Sequence, residues 1–289
     1  MSRPSFPAKL PSTGHSGAAK PKHATANATK NVAGQAVNTW ATALKSNKTE
    51  PPNSLKPGAA VHALQAVSSG IGLESRAVRQ RMVDKLAAQG ITDAALLQAM
   101  GTVERHRFVD TALVGQAYED TSLPIGLGQT ISKPNVVARM IELLRQGQIL
   151  SGAKRAGRVL EIGTGCGYQA ALLAQLCSEV YSIERLRGLH DKARENLRPY
   201  KIAHLHLLLG DGMLGYAKGG PYAGIIAAAG GDAIPQAWLD QLAIGGRIVA
   251  PMVTASGAQA LMVLDKTQQG VTQTALEAVH FVPLKSGVM

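Results

Sequence analysis

Three alternating glycines within residues 163–167 constrain the fold of this chain more than any other feature of its 289 residues. The apolar run Val159, Leu160 and Ile162 predicts a buried strand before them, and Gln169 begins a predicted helix after them. Such a turn leaves free backbone N–H groups and the positive end of a helix dipole beside a ligand. We therefore predict a strand–turn–helix unit whose turn binds a small molecule.

A carboxylate follows at the distance that a nucleotide-binding unit requires. Residues 179–184 predict a second buried strand that ends in Glu184, 21 residues after Gly163. In nucleotide-binding βαβ units an acidic side chain near this position holds a ribose. Dinucleotide loops also keep a third glycine for packing around a pyrophosphate, whereas this chain has Tyr168 there. The pattern favours a nucleoside cofactor without a pyrophosphate. The alternative is a tight turn that binds no ligand.

Strands and helices continue to alternate toward the C-terminus, in the region that we assign to one domain, residues 151–289. The predicted elements are helix 186–197, strand 204–209, strand 222–229, helix 235–242, strand 247–253, and two closing strands, 258–265 and 275–282, that can be antiparallel. The alternation predicts an α/β fold, a doubly wound and mostly parallel Rossmann-like sheet with helices on both faces. Asp211 and Gly212 follow a predicted strand, at the edge where open α/β sheets bind ligands.

The region before the sheet, residues 61–150, predicts a helical subdomain with a substrate loop. Apolar residues at helical spacing predict a first helix through residues 78–86, and Thr92 or Asp93 can cap a second. His106 lies between two arginines in a predicted surface turn, and we interpret it as structural rather than catalytic.

A long loop at residues 118–134 is rich in glycine and proline. It is too long for an ordinary connection, and loops of this kind are often binding loops. Pro134 fits the first turn of a third helix. Ser132 therefore has two interpretations, as a residue that contacts a ligand or as part of a helix cap.

The N-terminal 60 residues predict a disordered basic tail. They contain eight Lys or Arg residues and one acid, Glu50, so +7 of the formal net charge of +11 lies there. A segment so poor in large apolar residues cannot offset its ordering entropy by burial. The tail could contact nucleic acid or an anionic membrane by charge alone. We prefer a solvated tail, and expect no specific nucleic acid and no membrane partner.

The cysteine content predicts a reducing compartment. Cys166 and Cys177 are the only cysteines, which is neither a disulfide framework nor a metal-ligand cluster. No apolar run approaches the roughly 18 residues of a membrane span, and no apolar segment of a secretory signal is present. We therefore expect a cytoplasmic protein without a metal, and a monomer by default.

Taken together, the motifs from about residue 73 to residue 284 resemble one family, the protein-L-isoaspartate O-methyltransferases. The glycine turn resembles the nucleoside loop of S-adenosylmethionine-dependent methyltransferases in general, and the loop before Pro134 is specific to this family. The motifs are Tyr118-Glu119-Asp120, Leu123-Pro124-Ile125-Gly126, Gly128-Gln129-Thr130-Ile131-Ser132-x-Pro134, residues 159–168, Gly210-Asp211-Gly212 and Phe281-Val282-Pro283-Leu284.

The resemblance implies an activity and a set of site residues. The activity is methyl transfer from S-adenosylmethionine to the α-carboxylate of L-isoaspartyl residues in damaged proteins and peptides, with S-adenosylhomocysteine as product. Ser132 is implied to contact the reacting carboxylate. The residues implied around the cofactor are Glu161, Gly163, Thr164, Gly165, Glu184, Asp211 and Gly212, and those implied around the substrate are Leu123, Pro124, Thr130 and Ile131.

Some residues depart from the family pattern. The family usually has Ala-Ala-Ala-Pro where this chain has Ala229-Gly230-Gly231-Asp232, and Lys133 and Cys166 stand where other small or polar residues are common. The departure at residues 229–232 keeps open a methyltransferase for another carboxylate or a small molecule. A catalytically silent cofactor-binding module is a third possibility.

Overall fold

Nine strands are present in the part of the chain that the computed structural model describes, which comprises residues 72, 75–152 and 157–289. The predicted tail, residues 1–60, lies outside these ranges. A hairpin is formed by β1 (Leu123–Gly126) and β2 (Gln129–Ile131). The main sheet is formed by β3 (Arg158–Ile162), β4 (Glu179–Glu184), β5 (Leu205–Leu209), β6 (Tyr222–Ala227), β7 (Leu242–Val253), β8 (Gln259–Thr267) and β9 (Gly270–Ala278).

The strand order of the main sheet is β5-β4-β3-β6-β7-β8-β9. The strands from β5 to β7 pair in parallel, and β8 and β9 add an antiparallel edge. The chain builds outward from β3 through β4 to β5 and then returns to β6 on the other side of β3. The carboxyl ends of β3 and β6 therefore meet at a topological switch point, where a crevice is expected. The predicted doubly wound, mostly parallel sheet is confirmed.

Six helices accompany the strands in the described residues, and they contribute unequally to two hydrophobic cores. Because side chains alternate along a strand, Val159 and Val180 enter one core whereas Leu160 and Ile183 enter the other. Five helices supply residues to the first core, and α6 supplies Trp238 to the second. The helices are α1 (Arg76–Ala88), α2 (Ala94–Thr102), α3 (Pro134–Arg145), α4 (Tyr168–Leu176), α5 (Arg187–Leu197) and α6 (Gln236–Gln241).

Within the predicted N-terminal helical subdomain, the turn between α1 and α2 is held to α3. Asp93 is the N-cap of α2, and its Oδ1 accepts hydrogen bonds from the backbone N–H groups of Ala95 (3.0 Å) and Leu96 (3.1 Å). The buried Glu142 of α3 accepts from the backbone N–H and the hydroxyl of Thr92. Residues on both sides of position 150 belong to one contact unit, Ala59–Met289, so the predicted boundary there stays a prediction.

The segment around His106 is less exposed than the predicted surface turn. It forms a short 3-10 helix, Arg105–Phe108, in which Arg105 and Phe108 are fully buried. The Nδ1 atom of His106 lies 2.7 Å from the hydroxyl of Tyr118, a contact with the chain's own core.

Three other element predictions need correction. The segment at residues 118–134 is not an irregular loop throughout, because Gly126, Leu127 and Gly128 all have positive φ and turn the chain into the β1–β2 hairpin. β9 ends at Ala278 rather than at residue 282. β7 begins at Leu242 rather than at residue 247, and its pairing with β6 contains a shift in register. Among the described residues, none of the helices is long and apolar enough to cross a membrane.

Candidate functional site

A cavity of about 440 Å³ opens at the carboxyl ends of β3, β4 and β6. Its size is that of a small-molecule site, and its position is the predicted switch point. Its walls are the hairpin, the glycine turn with the start of α4, the end of β4, and a C-terminal segment beyond β9. The predicted site residues that line it are Thr130, Ile131, Ser132, Gly163, Thr164, Gly165, Glu184 and Gly212.

Glu184 is buried at the end of β4 and is held by two backbone groups. Its Oε2 accepts a hydrogen bond from the N–H of Gly165 at 2.9 Å, and its Oε1 accepts from the N–H of Leu186 at 2.9 Å. An ionised carboxylate has about four acceptor positions, so about two remain for further donors. The carboxylate is therefore fixed against the glycine turn in a way that suits the two hydroxyl groups of a ribose.

Glu161 lies behind the glycine turn and does not itself line the cavity. The Ser182 hydroxyl donates to its Oε2 at 2.5 Å, and Thr164 Oγ1 lies 2.6 Å from Ser182 Oγ. Burial raises the pKa of Glu161 to about 8, and the Glu184 carboxylate acts in the same direction. Two buried polar atoms near the turn, Glu161 Oε1 and Gln169 Nε2, have no hydrogen-bond partner within the described residues. An N–H donor and a carboxyl oxygen left unpaired beside the glycine turn fit a polar cofactor.

Asp211 also lies outside the cavity lining, and it anchors the C-terminal segment. Its Oδ1 accepts from the N–H of Met213 at 2.8 Å and its Oδ2 from the N–H of Gly287 at 2.7 Å. Arg185 holds the same segment, since its Nε donates to the Gly287 carbonyl at 3.0 Å and its own carbonyl accepts from the Met289 N–H at 2.8 Å. Met289 thereby becomes part of the cavity wall. Nothing in the sequence had predicted this segment as part of the site.

Ser132 joins the hairpin to α3, but it does not cap the helix. The N-cap is Lys133, which forms no side-chain cap hydrogen bond. Within the described residues the Ser132 hydroxyl has no hydrogen-bond partner, whereas its carbonyl accepts from Arg105 Nη2 at 2.7 Å. The cap interpretation is therefore wrong for this residue.

Arg105 connects the hairpin, the helical subdomain and the glycine turn. Besides Ser132, its guanidinium donates from Nε to the Ala117 carbonyl at 2.7 Å. It also lies 4.8 Å above the ring of Tyr168, the residue that replaces the third glycine of a dinucleotide loop. Sequence reasoning missed Arg105, because a charged residue in a short polar run resembles a solvated turn.

A second depression, which we call the lateral groove, meets the cavity at Ser132. It has a volume of about 310 Å³ and is lined by residues of the hairpin, the start of α3 and the chain after β9. Four residues line both spaces: Thr130, Ser132, Ala228 and Val282.

Two residues predicted to contact the substrate do not line the cavity or the lateral groove. Leu123 is buried in the hydrophobic core, and Pro124 beside it on β1 is exposed. Ile125 is the residue of β1 that lines the cavity. Conversely, Gln169 lines the cavity and was not predicted. A polar residue in the first turn of an otherwise apolar helix was the available signal.

Comparison with known proteins identifies the family. The sequence model of the Protein-L-isoaspartate(D-aspartate) O-methyltransferase family matches residues 77–289, more than half of the chain. The chain belongs to this family. The protein-L-isoaspartate O-methyltransferase of Methylibium petroleiphilum is 58% identical over 239 residues, which cover 82% of this chain and 88% of that protein. Its counterpart in Leptothrix cholodnii is 56% identical over 242 residues, covering 82% and 84%.

Solved structures agree with this membership. A protein-L-isoaspartate O-methyltransferase structure has a TM-score of 0.65 at 25% identity and covers 73% of this chain and 67% of that one. A Plasmodium falciparum protein assigned to the same enzyme class, solved with S-adenosyl-L-homocysteine, has a TM-score of 0.59 at 24% identity and covers 72% and 98%. The second likeness concerns the fold alone.

One residue of the departure from the isoaspartyl methyltransferase pattern at residues 229–232, Gly230, has a packing explanation, whereas nothing in the structure explains Gly231 and Asp232. A Cβ atom on Gly230 would lie 2.5 Å from Gln259 Nε2. The Gln259 side chain is fixed because its Oε1 accepts from the Phe281 N–H at 2.7 Å and its Nε2 donates to the Phe281 carbonyl at 3.1 Å. Gly230 in turn accepts from the Leu284 N–H at 2.7 Å. The turn therefore supports the segment at residues 281–284 that lines the cavity.

Proposed function

We propose that this chain transfers a methyl group from S-adenosylmethionine to the α-carboxylate of L-isoaspartyl residues in damaged proteins and peptides, the first step of their repair. Membership in the isoaspartyl methyltransferase family supports the reaction. The single observation that supports it at this site is the position of Ser132. Its hydroxyl has no partner within the described residues, and the residue lies where the cavity meets the lateral groove.

The cavity suits the cofactor, and we assign its residues accordingly. When bound, S-adenosylmethionine supplies a methyl group on a positively charged sulfur. Glu184 would accept hydrogen bonds from the ribose, and the backbone of Gly163, Gly165 and Gly212 would lie against the nucleoside and its chain. Glu161, held by Ser182 behind the glycine turn, would support the turn against the cofactor. Asp211 would act indirectly, by fixing the C-terminal segment.

The chemistry requires positioning more than acid–base catalysis. An α-carboxylate has a pKa of about 3.5, so it is ionised at neutral pH and no general base is needed. Transfer between a cation and an anion consumes charge, which a cavity of low polarity favours. The Ser132 hydroxyl would donate a hydrogen bond to one carboxylate oxygen and direct the other toward the methyl group. The methyl ester can then cyclise to a succinimide without help from the protein.

A methyltransferase for another carboxylate had one argument in its favour, the altered turn at residues 229–232. The packing of Gln259 accounts for Gly230, so that argument now rests on Gly231 and Asp232 alone. A catalytically silent module would leave the unpaired Ser132 hydroxyl without a role.

One assay separates the proposed function from the other two. The full chain is incubated with S-adenosylmethionine and either an isoaspartyl peptide or the peptide of the same sequence with an ordinary aspartyl residue, and the amount of methyl ester formed is measured. We expect methylation of the isoaspartyl peptide only. Methylation of neither peptide, or of both equally, would contradict the proposal.

Three features complete the proposal as predictions: a monomeric state, a cytoplasmic location, and a tail at residues 1–60 that has no specific partner. The sequence composition supports the last two.

A further inference from the structure

The lateral groove is the continuation of the site on the far side of Ser132. The two spaces share four lining residues, so a ligand whose carboxylate reaches Ser132 from the groove meets the cofactor cavity directly. A groove of about 310 Å³ lies at the lower end of the size of small-molecule sites, so it would hold only a short stretch of an extended peptide. If the proposed function holds, this stretch consists of neighbours of the isoaspartyl residue.

Lys133 gives the lining of the lateral groove a positive charge. The lining contains Lys133 and His280 and, among the described residues, no aspartate or glutamate. Lys133 is exposed and forms no ion pair or hydrogen bond through its ammonium group within the described part of the chain. Two acids on neighbouring elements have partners of their own: Glu277 of β9 pairs with Arg139 at 3.0 Å, and Asp120 accepts from the Asn135 N–H at 3.0 Å.

The position of Lys133 has no explanation in the stability of α3. A lysine at the N-cap offers no side-chain oxygen to the first turn, where the Asp120 carboxylate instead accepts from the Asn135 N–H at 3.0 Å. Lys133 instead lines the lateral groove, to which it supplies a positive charge.

We propose that Lys133 makes the lateral groove selective for isoaspartyl peptides that carry an acidic side chain within about two residues of the damaged position. This inference rests on the proposed function and adds a substrate preference to it. The acidic side chain would pair with the Lys133 ammonium while the α-carboxylate is held at Ser132. An exposed pair of this kind is a modest interaction, and we expect about a threefold difference in KM.

The test uses the full chain and isoaspartyl peptides that differ at one flanking position, occupied by Glu, Gln or Lys, in two series that place it before or after the isoaspartyl residue. At low salt, in at least one series, we expect the lowest KM for the peptide with Glu, an intermediate KM for the peptide with Gln, and the highest KM for the peptide with Lys. Lys133→Gln should abolish the difference and Lys133→Glu should reverse it. About 1 M salt should remove it in the unmodified chain, because the screening length falls to about 3 Å.

The matched control is Lys218→Gln, which removes the same charge from an exposed 3-10 helix before the opposite, N-terminal end of β6. It should leave the order of KM intact. Equal KM values for all peptides, with isoaspartyl methylation preserved, would overturn this inference and leave the proposed function standing. A preference that survives in Lys133→Gln would also overturn it. Methylation of no isoaspartyl peptide would overturn both.

Discussion

Ser132 is the residue at which a structural role and a catalytic role make opposite predictions. Lys133, not Ser132, is the N-cap of α3. The Ser132 hydroxyl makes no hydrogen bond within the described residues, so its removal breaks none. Ser132→Ala should change the free energy of unfolding by less than about 0.5 kcal/mol. Methyl transfer should slow by about a hundredfold, the scale for one positioned donor. Melting temperature, cofactor affinity and peptide methylation are the measurements.

Ser75→Ala is the matched control for this substitution. Ser75 is the N-cap of α1, and its hydroxyl oxygen accepts from the Val78 N–H at 3.4 Å. This variant should lose about 1 kcal/mol of stability and keep its turnover per folded molecule. If Ser132→Ala behaves in the same way, the catalytic assignment is wrong.

Glu184 should determine cofactor affinity. A charge-assisted hydrogen bond is worth roughly 1.5–3 kcal/mol, so Glu184→Ala should weaken S-adenosylmethionine binding at least about tenfold. Glu179→Ala is the control, since Glu179 lies at the other end of β4 and bonds to Arg158, Tyr181 and His206. Calorimetry on the folded variants measures both. Equal affinities for the two variants would reject the ribose assignment.

Glu161 should make stability depend on pH. Its pKa is about 8 in the folded chain against 4.5 in the unfolded chain, so the folded state holds a proton that the unfolded state releases in that window. The stabilisation is complete below pH 4.5 and is lost as pH rises to about 8. The Glu161→Gln variant has no carboxyl group to ionise and does not suffer this loss. As pH rises from about 4.5 to about 8, its free energy of unfolding should therefore increase relative to that of the unmodified chain by up to about 1.4 kcal/mol per pH unit.

Urea unfolding of both proteins at pH 5, 6.5 and 8, without cofactor, measures the effect. A stability difference that does not change with pH would show that Glu161 is not buried in its protonated form.

At the scale of elements, the glycine turn depends on close contact with α5. Gly167 is the N-cap of α4 at φ +92°, and a Cβ atom there would lie 2.8 Å from Leu197 Cδ1. Gly167→Ala should therefore combine backbone strain with overpacking and cost roughly 2–4 kcal/mol of stability.

Gly90→Ala separates the cost of backbone strain from the cost of overpacking. Gly90 has φ +100° after α1, but a Cβ atom there meets nothing within 4 Å. Its substitution should cost only about 1 kcal/mol. Chemical denaturation compares the variants, and equal losses would mean that contact with Leu197 is unimportant.

The hairpin shows how one element serves two neighbours. β2 carries Thr130 and Ile131 to the cavity, whereas Leu123 on β1 packs into the core. Lys192 of α5 donates to the Ile125 carbonyl at 2.8 Å, and Arg105 donates to the Ser132 carbonyl. The loop that carries the proposed catalytic residue is therefore braced at both ends.

At the scale of the whole molecule, the N-terminal tail should be dispensable. The family match begins at residue 77, and the positive excess lies in residues 1–60. A chain that starts at Gly58 should have the same melting temperature and the same turnover of an isoaspartyl peptide as the full chain. Circular dichroism and the methylation assay test this. A large loss of turnover in a folded truncation would place the tail in the site.

Local patterns in the sequence were sufficient for much of the fold and part of the site. The glycine turn, the strand that ends in Glu184, the Asp93 cap and the alternation of strands and helices all depend on residues close together in the chain. Hydrophobic period, turn chemistry and capping act over a few residues, so they can be recognised in the sequence alone.

Only the tertiary structure decided the rest. It buried Arg105 under the hairpin, turned Leu123 into the core, placed the C-terminal segment against Arg185 and explained Gly230 by the packing of Gln259. In three of these cases the partners lie 27 or more residues apart, as Arg105 and Ser132 do. Such contacts are set by how the sheet and helices pack, because close packing is specified by three-dimensional shape rather than by sequence spacing.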